Sequence, residues 1–204
     1  EITCRDWSSD VCSSDLVHGQ KAFIANWIGG RKVFVVDTGS DQVIDSVEVG
    51  IEPESMALDK NGMIWVLCNG GWTRDNFAEL ICLNPQTHAL TRRYTFPSKT
   101  DSPLNLISDS DGDTLLFIDG GIKCMDINST ELPSSVFIDQ ADNLFYRIAV
   151  NPVNGNIAAT DALDYQQQGN FMIFSRKGIF ISEYQAGIIP GNICFMVNQG
   201  HITE

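Results

Sequence analysis

Residues 53–71 read PESMALDKNGMIWVLCNGG, and the turn DKNG at Asp59–Gly62 has counterparts at Asp109–Gly112 (DSDG) and Asn151–Gly155 (NPVNG). The glycines that end these three turns are 50 and 43 residues apart. Asn-Gly and Asp-Gly pairs are the usual signal of a tight β-hairpin, in which both central residues take a positive φ. The chain is therefore expected to form hairpins at a nearly fixed interval.

Short predicted strands surround each turn, four to a unit, and a polar turn such as Asn128–Thr130 separates the third strand from the fourth. The predicted third strands are Val33–Asp37, Glu79–Asn84, Ile122–Asp126 and Asn170–Ser175. Four short strands in about every 40 to 50 residues, with no long amphipathic helical pattern, are typical of β-propeller blades. We therefore predict an all-β chain, a β-propeller with about four four-stranded blades. A two-sheet sandwich is the alternative, but it does not explain the regular glycines.

Two segments of the repeat resemble a known family. Pro53–Gly71 and Asp161–Phe195 (DALDYQQQGNFMIFSRKGIFISEYQAGIIPGNICF) are similar to YncE-like and surface-layer-type β-propeller lipoproteins of gut Bacteroidota, and the similarity covers nearly all of Val17–Phe195. The resemblance implies a seven-bladed ring of which about three N-terminal blades are absent here. It also implies a location at the cell surface or in the periplasm, with a lipid anchor on a missing N-terminus. Some relatives bind cobalamin for an outer-membrane importer, so a corrinoid is the most specific ligand that the resemblance implies.

The N-terminal segment has a separate interpretation. Asp6–Leu16 (DWSSDVCSSDL) is what the reverse strand of a common short-read sequencing adapter encodes in one reading frame. We therefore expect residues 1–16 to be adapter read-through, to be set aside like a tag, and residues 17–204 to form a partial β-propeller domain. A Ser- and Asp-rich disordered N-terminus is the alternative, because its composition is similar.

The chain is acidic, with 13 Lys plus Arg against 26 Asp plus Glu and a formal net charge of −13. Without residues 1–16 the two counts are 12 and 22, which leaves a net charge of −10. A nucleic-acid partner is not expected, because the phosphate backbone is repelled by an acidic surface. The sequence has no run of eighteen apolar residues, so it predicts no transmembrane helix.

The order of strands in a blade predicts where the loops lie. When strands A to D run from the inside outward, the A–B and C–D turns share one end of the propeller and the B–C and D–A loops share the other. The tight glycine turns are the A–B set. The longer B–C loops are therefore expected at the opposite end; they are Asn26–Gly30, Asn69–Ala78, Asp119–Gly121 and Asp161–Gly169.

Long polar and aromatic loops on a rigid scaffold suit the binding of a small molecule. We predict that such a ligand is bound without a cofactor. The predicted contacts are Trp27, Trp72, Arg74, Asp75, Asn76, Phe77, Asp119, Asp161, Asp164, Tyr165 and Gln166. Any one of the aromatic side chains can instead serve to cover the neighbouring blade.

Catalysis is not predicted from the residues. The three histidines, His18, His88 and His201, are scattered and offer neither a metal site nor a Ser-His-Asp triad. Ser108–Asp113 is rich in carboxylates, but the twelfth position of the candidate calcium loop is Gly120 rather than the glutamate of an EF-hand.

The leading functional hypothesis is thus a non-enzymatic ligand-binding β-propeller. A second hypothesis is a protein-interaction scaffold whose loop face docks on an outer-membrane transporter or a neighbouring surface protein. A third, by analogy, is a metal-dependent lactonase- or lyase-like propeller, for which Glu54, Asp119 and Asp161 are the candidate ligands.

Overall fold

The computed structural model describes residues 15–196, and within them sixteen β-strands form four sheets of four strands each. The strands are β1 Asp15–His18, β2 Lys21–Ala25, β3 Lys32–Asp37, β4 Gln42–Glu48, β5 Pro53–Leu58, β6 Ile64–Cys68, β7 Glu79–Leu83, β8 Leu90–Thr95, β9 Leu104–Ser108, β10 Thr114–Ile118, β11 Gly121–Asp126, β12 Ile138–Asp139, β13 Phe145–Val150, β14 Ile157–Asp161, β15 Gln168–Phe174 and β16 Phe180–Ile188. In each sheet the four strands pair antiparallel in sequence order, so every sheet is a simple meander. The prediction of an all-β chain with four-stranded units is confirmed.

The sheets follow one another around a common line. The first strands, β1, β5, β9 and β13, lie side by side in that order. The fourth strands β4, β8 and β16 are the most exposed of their sheets. Strand A is therefore innermost and strand D outermost, which is the radial order that was predicted.

Three apolar layers hold the sheets together, each one between two consecutive sheets. Phe23 and Val35 of the first sheet pack against Ile64 and Val66 of the second. Further cores lie between the second and third sheets and between the third and fourth. Because burial of apolar surface drives this packing, the angular position of each sheet is fixed by its neighbours rather than by its own strands.

The strand β6 shows how one sequence serves two cores. All five of its residues are buried. Ile64, Val66 and Cys68 face the first sheet, whereas Trp65 and Leu67 face the third. A strand buried on both faces reads as a continuous apolar run, and IWVLC is such a run.

The glycine turns differ in detail from the prediction. Gly62, Gly112 and Gly155 have positive φ values of 73°, 71° and 71°, as expected. The residues before them do not, so these are not two-residue hairpins with two left-handed residues. In the first of them the carboxylate of Asp59 accepts the backbone N–H groups of Asn61 and Met63, both at 2.9 Å, and this closes a wider loop that needs only one left-handed residue.

The third sheet also departs from the prediction. Asn128–Thr130 was expected to be a short turn before a fourth strand of ordinary length, but residues 127–137 separate β11 from a β12 of only two residues. This segment, INSTELPSSVF, contains Pro133, which lacks the N–H group that strand pairing uses. Strand pairing resumes only at Ile138 and Asp139, opposite Ile122 and Gly121.

The predicted adapter read-through, residues 1–16, lies mostly outside the described residues. Asp15 and Leu16 are the first two residues of β1, and Leu16 packs against the first apolar layer. The boundary between read-through and native sequence stays a prediction. Across residues 15–196 there is no helix with the length and apolar character needed to cross a bilayer.

Candidate functional site

A cleft of about 310 Å³ opens beside the first strands β5, β9 and β13, at the end of the molecule that carries the B–C and D–A loops. We call it the axial cleft. Its lining comes from all four sheets and comprises Trp27, Glu52, Glu54, Asn69, Gly71, Trp72, Arg74, Ser102, Leu104, Tyr146 and Arg147. The predicted long-loop end of the propeller is thus also the end that carries this cleft.

Irregularities in the first strands bring side chains to the cleft. The pairing register shifts between Pro53 and Ser55 in β5 and between Phe145 and Arg147 in β13, so Glu54 and Tyr146 are the extra residues of β-bulges. The register of β9 shifts in the same part of the strand. A β-bulge bends the strand and redirects a side chain, and here both bulged residues line the cleft.

Side chains tie neighbouring first strands to one another beneath the cleft. The Glu54 carboxylate accepts the Asn105 backbone N–H at 2.8 Å, and the Ser55 hydroxyl accepts that of Leu106 at 2.8 Å. The Asn105 side-chain oxygen in turn accepts the backbone N–H of Ile148 in β13. Since these contacts cross from sheet to sheet, they fix the floor of the cleft as one unit.

Trp27 lies in the first B–C loop, whose shape depends on glycine. A Cβ on Gly30 would stand 1.9 Å from the backbone oxygen of Asn26, so no larger residue fits there. The next loop holds this turn from outside: Glu52 accepts the Gly29 N–H on its carboxylate at 3.2 Å and donates its own N–H to the Gly30 carbonyl at 2.8 Å. Trp27 therefore stands at the cleft on a constrained turn.

The indole Nε1 of Trp27 is buried and has no hydrogen-bond partner among residues 15–196. A buried N–H donor without an acceptor costs free energy, and such groups are few in native proteins. The atom has almost no accessible surface, so it is enclosed by the protein although other atoms of Trp27 line the axial cleft.

The second B–C loop, residues 69–78, provides the opposite wall. Gly71 donates its N–H to the side-chain oxygen of Asn69 at 2.9 Å, which shapes the start of the loop. The Trp72 ring that follows is 89% exposed and leaves a broad apolar surface at the mouth. The Arg74 guanidinium donates to the Thr100 carbonyl at 3.1 Å and is thereby held at the rim.

The fourth sheet contributes a stack of aromatic and cationic groups. The Arg147 guanidinium lies 4.5 Å from the centre of the Tyr146 ring and donates to the Tyr146 carbonyl at 2.9 Å. The Tyr165 ring packs edge-on against Tyr146, with 5.9 Å between ring centres. Tyr165 thus supports the cleft from behind rather than lining it.

The charges of the cleft are not paired with one another. The carboxylates of Glu52 and Glu54 accept backbone N–H groups, as described above. In the part of the chain that the structure describes, Arg74 and Arg147 form no salt bridge. A guanidinium has five N–H donors, so most of those on both arginines remain for a ligand or for water.

The loop that carries Trp72 also faces a second depression. Asn76 and Phe77 line a groove of about 470 Å³ between the first and second sheets, which we call the lateral groove. Arg93 occupies part of its wall and binds both carboxylate oxygens of Glu79, at 3.0 and 2.9 Å. Residues predicted as one contact set are therefore divided between two depressions.

The remaining predicted contacts line neither depression. Asp75 and Gln166 are exposed. Asp119 forms a salt bridge with Lys123, at 2.8 Å between Oδ2 and Nζ. Asp161 is fully buried; its Oδ1 accepts the N–H groups of Leu144 and Leu163, and its Oδ2 has no partner within the described range 15–196.

Asp164 organises its own loop. Its side chain accepts the backbone N–H groups of Gln166 and Gln167 and the Gln167 side-chain amide, each at 2.9 Å. These hydrogen bonds favour the carboxylate form and lower the pKa of Asp164 to about 2. The position is a turn-forming one, away from the axial cleft.

The three carboxylates proposed as metal ligands do not converge. Glu54 is tied to β9, Asp119 to Lys123, and Asp161 to the loops on either side of it. Within residues 15–196 no three His, Cys, Asp or Glu side chains are grouped so that they could hold a metal ion.

Sequence reasoning missed Tyr146 and Arg147 and gave Glu54 another role. A signal for them exists in the repeat: Glu54, Leu104 and Tyr146 each stand five residues before the Asp or Asn that opens the glycine turn. All three line the axial cleft. If the repeats are aligned on that turn, the residue five positions before it lines the cleft in three of them, although its type differs.

Comparison with known proteins places the fold. No protein-family model and no curated protein matches the chain. A quinoprotein alcohol dehydrogenase-like protein from Bacteroides thetaiotaomicron superposes with a TM-score of 0.69 at 12% identity, over 89% of this chain and 48% of that one. The β-propeller domain of Cps50 (Swd1) from Myceliophteria thermophila gives 0.63 at 15% identity, over 86% and 56%.

A protein of unknown function from Bacteroides caccae gives a TM-score of 0.59 at 14% identity, over 88% of this chain and 63% of that one. The chain thus spans about half to two thirds of the length of these solved structures. At such low identity the likeness concerns the fold alone, and the fold is that of a β-propeller. Two of the similar structures come from Bacteroides.

Proposed function

We propose that this protein is a non-catalytic binding module that holds a small organic molecule in the axial cleft. The observation that carries the proposal is the composition of the cleft: it has an aromatic wall, and it contains two guanidinium and two carboxylate groups that form no salt bridge in the described residues. Binding sites combine mostly apolar walls with a few polar groups that fix orientation, and this cleft has both.

The size of the cleft limits the ligand. Sites for organic ligands are commonly about 300 to 1,000 Å³, and the axial cleft lies at the lower limit of that range. A corrinoid, which the sequence resemblance suggests, is too large to be enclosed, so it would lie across the mouth on Trp72. The seven-bladed ring and the location at the cell surface or in the periplasm rest on the same resemblance.

A fragment screen by ¹H–¹⁵N NMR tests the proposal. The indole resonances of Trp27 and Trp72 are assigned with Trp27→Phe and Trp72→Phe variants. We expect flat organic fragments to shift these two resonances and to leave that of the buried Trp65 unchanged. Fragments that shift neither cleft tryptophan at millimolar concentration would refute the proposal.

Calorimetric titration with cyanocobalamin tests the corrinoid separately. We expect heat of binding that Trp72→Ala abolishes. The matched control is Ile28→Asp, since Ile28 is on the same face but does not line the cleft. An absence of heat would exclude the corrinoid without affecting the fragment result.

A protein-docking scaffold is a second candidate, because the loop face exposes large apolar side chains outside the cleft as well as at its mouth. Ile28 is 81% exposed, and Trp72 is 89% exposed. Exposed apolar residues that lie close together on one face favour a macromolecular partner such as an outer-membrane transporter. Loss of partner binding in Ile28→Asp, with fragment binding intact, would assign docking to this face.

A further inference from the structure

We propose that the third sheet binds an extended peptide of a partner protein, which adds as a strand to the free edge of β11 at Cys124–Asp126 and places an apolar side chain in a pocket beside Cys124. This surface is separate from the axial cleft, so the inference goes beyond the proposed small-molecule function. It rests on an incomplete sheet, on backbone groups without partners, and on the pocket beside them.

The third sheet lacks most of its outer strand. The outer strands β4, β8 and β16 have seven, six and nine residues, whereas β12 has two and pairs only with Gly121 and Ile122. Beyond Ile122, no strand of the described residues lies along the outer edge of β11. A free strand edge presents unpaired N–H and C=O groups and is a template for pairing with another chain.

The segment between β11 and β12, which would otherwise supply this strand, is held on the side of the second sheet. The Arg92 guanidinium of β8 donates to the Ile127 carbonyl, and the Tyr94 hydroxyl donates to the Ser129 carbonyl at 2.8 Å. Leu132 packs against the core between the second and third sheets. The segment is therefore anchored toward the second sheet and leaves the edge of β11 that faces the fourth sheet unpaired.

The backbone groups of Cys124 point outward from this edge. Phe137 donates its N–H to the Ile122 carbonyl at 2.8 Å, so the polar backbone groups of Ile122 face outward. Because the direction of these groups alternates along an antiparallel strand, both groups of Cys124 and the N–H of Asp126 face outward too. None of these three groups has a hydrogen-bond partner among residues 15–196.

A pocket of about 190 Å³ lies beside the same edge, in the gap between the third and fourth sheets. Its wall includes Cys124, Leu116, Phe137 and Ile157, so it favours an apolar side chain. Side chains alternate between the two faces of an extended peptide. A strand paired with β11 therefore directs every second side chain toward this gap, and backbone pairing with such a pocket is the usual basis of strand addition.

The charge around the edge disfavours an acidic peptide. Three carboxylates on β11, on β12 and in the segment between them form no salt bridge in the described part of the chain; they are Asp126, Glu131 and Asp139. On the facing turn of the fourth sheet, Asp111 binds Arg176, which leaves Lys177 as the unpaired cation there. The balance is negative, so a neutral or basic peptide is favoured.

The experiment titrates the full chain with the peptide acetyl-KTVVVTK-amide and with a matched peptide in which the three valine amides are N-methylated. Binding is followed by ¹H–¹⁵N NMR. The amide resonances of Cys124 and Asp126 should shift with the first peptide, and the second should bind at least about tenfold more weakly, because it cannot donate those backbone hydrogen bonds. The Ile81 amide is the control and should not move, since β8 already pairs with β7.

Two variants test the pocket. Cys124→Phe places a ring in the pocket and should weaken binding of acetyl-KTVVVTK-amide about tenfold or more. Cys124→Ser leaves the pocket open and should change the affinity by less than about twofold. The peptide acetyl-ETVVVTE-amide, which reverses the flanking charges, should bind several-fold more weakly than the lysine peptide. The ¹H–¹⁵N spectra of both variants report whether they fold.

The outcomes are distinct. If acetyl-KTVVVTK-amide shifts neither the Cys124 nor the Asp126 amide at millimolar concentration, or if its N-methylated form binds as tightly, no strand adds here and the inference fails. If Cys124→Phe folds and binds the peptide as tightly as the natural chain, the pocket has no part in binding and is struck from the inference. If Cys124→Phe does not fold, the N-methylated peptide decides alone. None of these results bears on the axial cleft.

Discussion

Two tryptophans, Trp65 and Trp27, mark the contrast between the turn end and the loop end of the molecule. The Trp65 indole N–H donates to the Asp59 carboxylate at 2.9 Å, and its ring packs under Arg92 and Tyr94. The Trp27 N–H, at the loop end, has no acceptor within the described part of the chain. The same residue type therefore has a satisfied N–H donor at the turn end and an unsatisfied one beside the axial cleft at the loop end.

The difference extends to the charged groups of the two ends. On the turn end, Asp59 and Asp109 each accept backbone N–H groups of the turn that they begin, and so contribute to stability. On the loop end, Arg74 and Arg147 have donors that no carboxylate of residues 15–196 binds. Carboxylates thus hold backbone segments at both ends, but only the loop end combines them with arginines that have unpaired donors and line a cleft.

The largest expected effect is the loss of stability when Trp65 is replaced with alanine, and Trp27 provides the comparison. Trp65→Ala should lower the free energy of unfolding by about 3–5 kcal/mol, because it empties a fully buried site between two sheets. Trp27→Ala should cost about 1 kcal/mol or less, since its ring is only partly buried. Urea unfolding followed by circular dichroism measures both; equal losses would contradict the contrast.

The carboxylate beneath Trp65 should come next. Asp59→Ala leaves the buried indole N–H and two backbone N–H groups without their acceptor, and should cost about 2–3 kcal/mol. Asp109→Ala, the matched turn without an indole partner, should cost about 1 kcal/mol. In a Trp65→Phe background the cost of Asp59→Ala should fall by about 1 kcal/mol. An unchanged cost in that background would show that the indole contact is unimportant.

The side-chain tie between β9 and β13 should have a smaller effect. Asn105→Ala removes the acceptor of the Ile148 backbone N–H and places alanine at a φ of 55°, so a loss of about 1–2 kcal/mol is expected. Hydrogen exchange at the Ile148 amide should accelerate. Asn143→Ala, which removes a hydrogen bond within a single loop, serves as the control and should leave that amide protected.

The smallest expected effect is the pH response of the Asp164 loop. Because the folded chain lowers the pKa of Asp164 to about 2, its carboxylate hydrogen bonds are fully present above its ordinary pKa of about 3.9 and are lost as the pH falls through 2. The side-chain carboxyl resonance in ¹³C NMR should titrate near pH 2. Gln167→Ala removes one of the donors and should move the midpoint upward; an unmoved midpoint would refute the assigned cause.

Much of the fold was predictable because its determinants are local. A glycine with positive φ, a polar residue that begins the turn, and strands of about five residues can all be read within one repeat. The third sheet was predicted less well, because the sequence shows that Pro133 breaks a strand but not where pairing resumes. The sequence also did not show how many residues of this turn would have a positive φ. The Asp59 side chain decides that number, because it accepts the backbone N–H of Met63, four residues further on.

The candidate site was predicted only in part. Of the predicted ligand contacts, Trp27, Trp72 and Arg74 share the axial cleft, and Tyr165 packs behind it against Tyr146. Asn76 and Phe77 face the lateral groove instead, because the loop passes between two depressions. The polar side chains of the other two loops form hydrogen bonds within those loops or salt bridges with nearby residues. Residue type and spacing alone do not distinguish such contacts from ligand binding.

By itself, the sequence determined the repeat, the four-stranded units and the end at which the long loops lie, because hydrogen bonds and φ preferences act between residues close in the chain. Only the tertiary structure decided that Trp27, Glu54 and Arg147 share one cleft. These residues come from three different sheets, and the apolar layers between the sheets set the angles that bring them together. The β-bulges that turn Glu54 and Tyr146 toward the cleft likewise arise from pairing with the neighbouring strand.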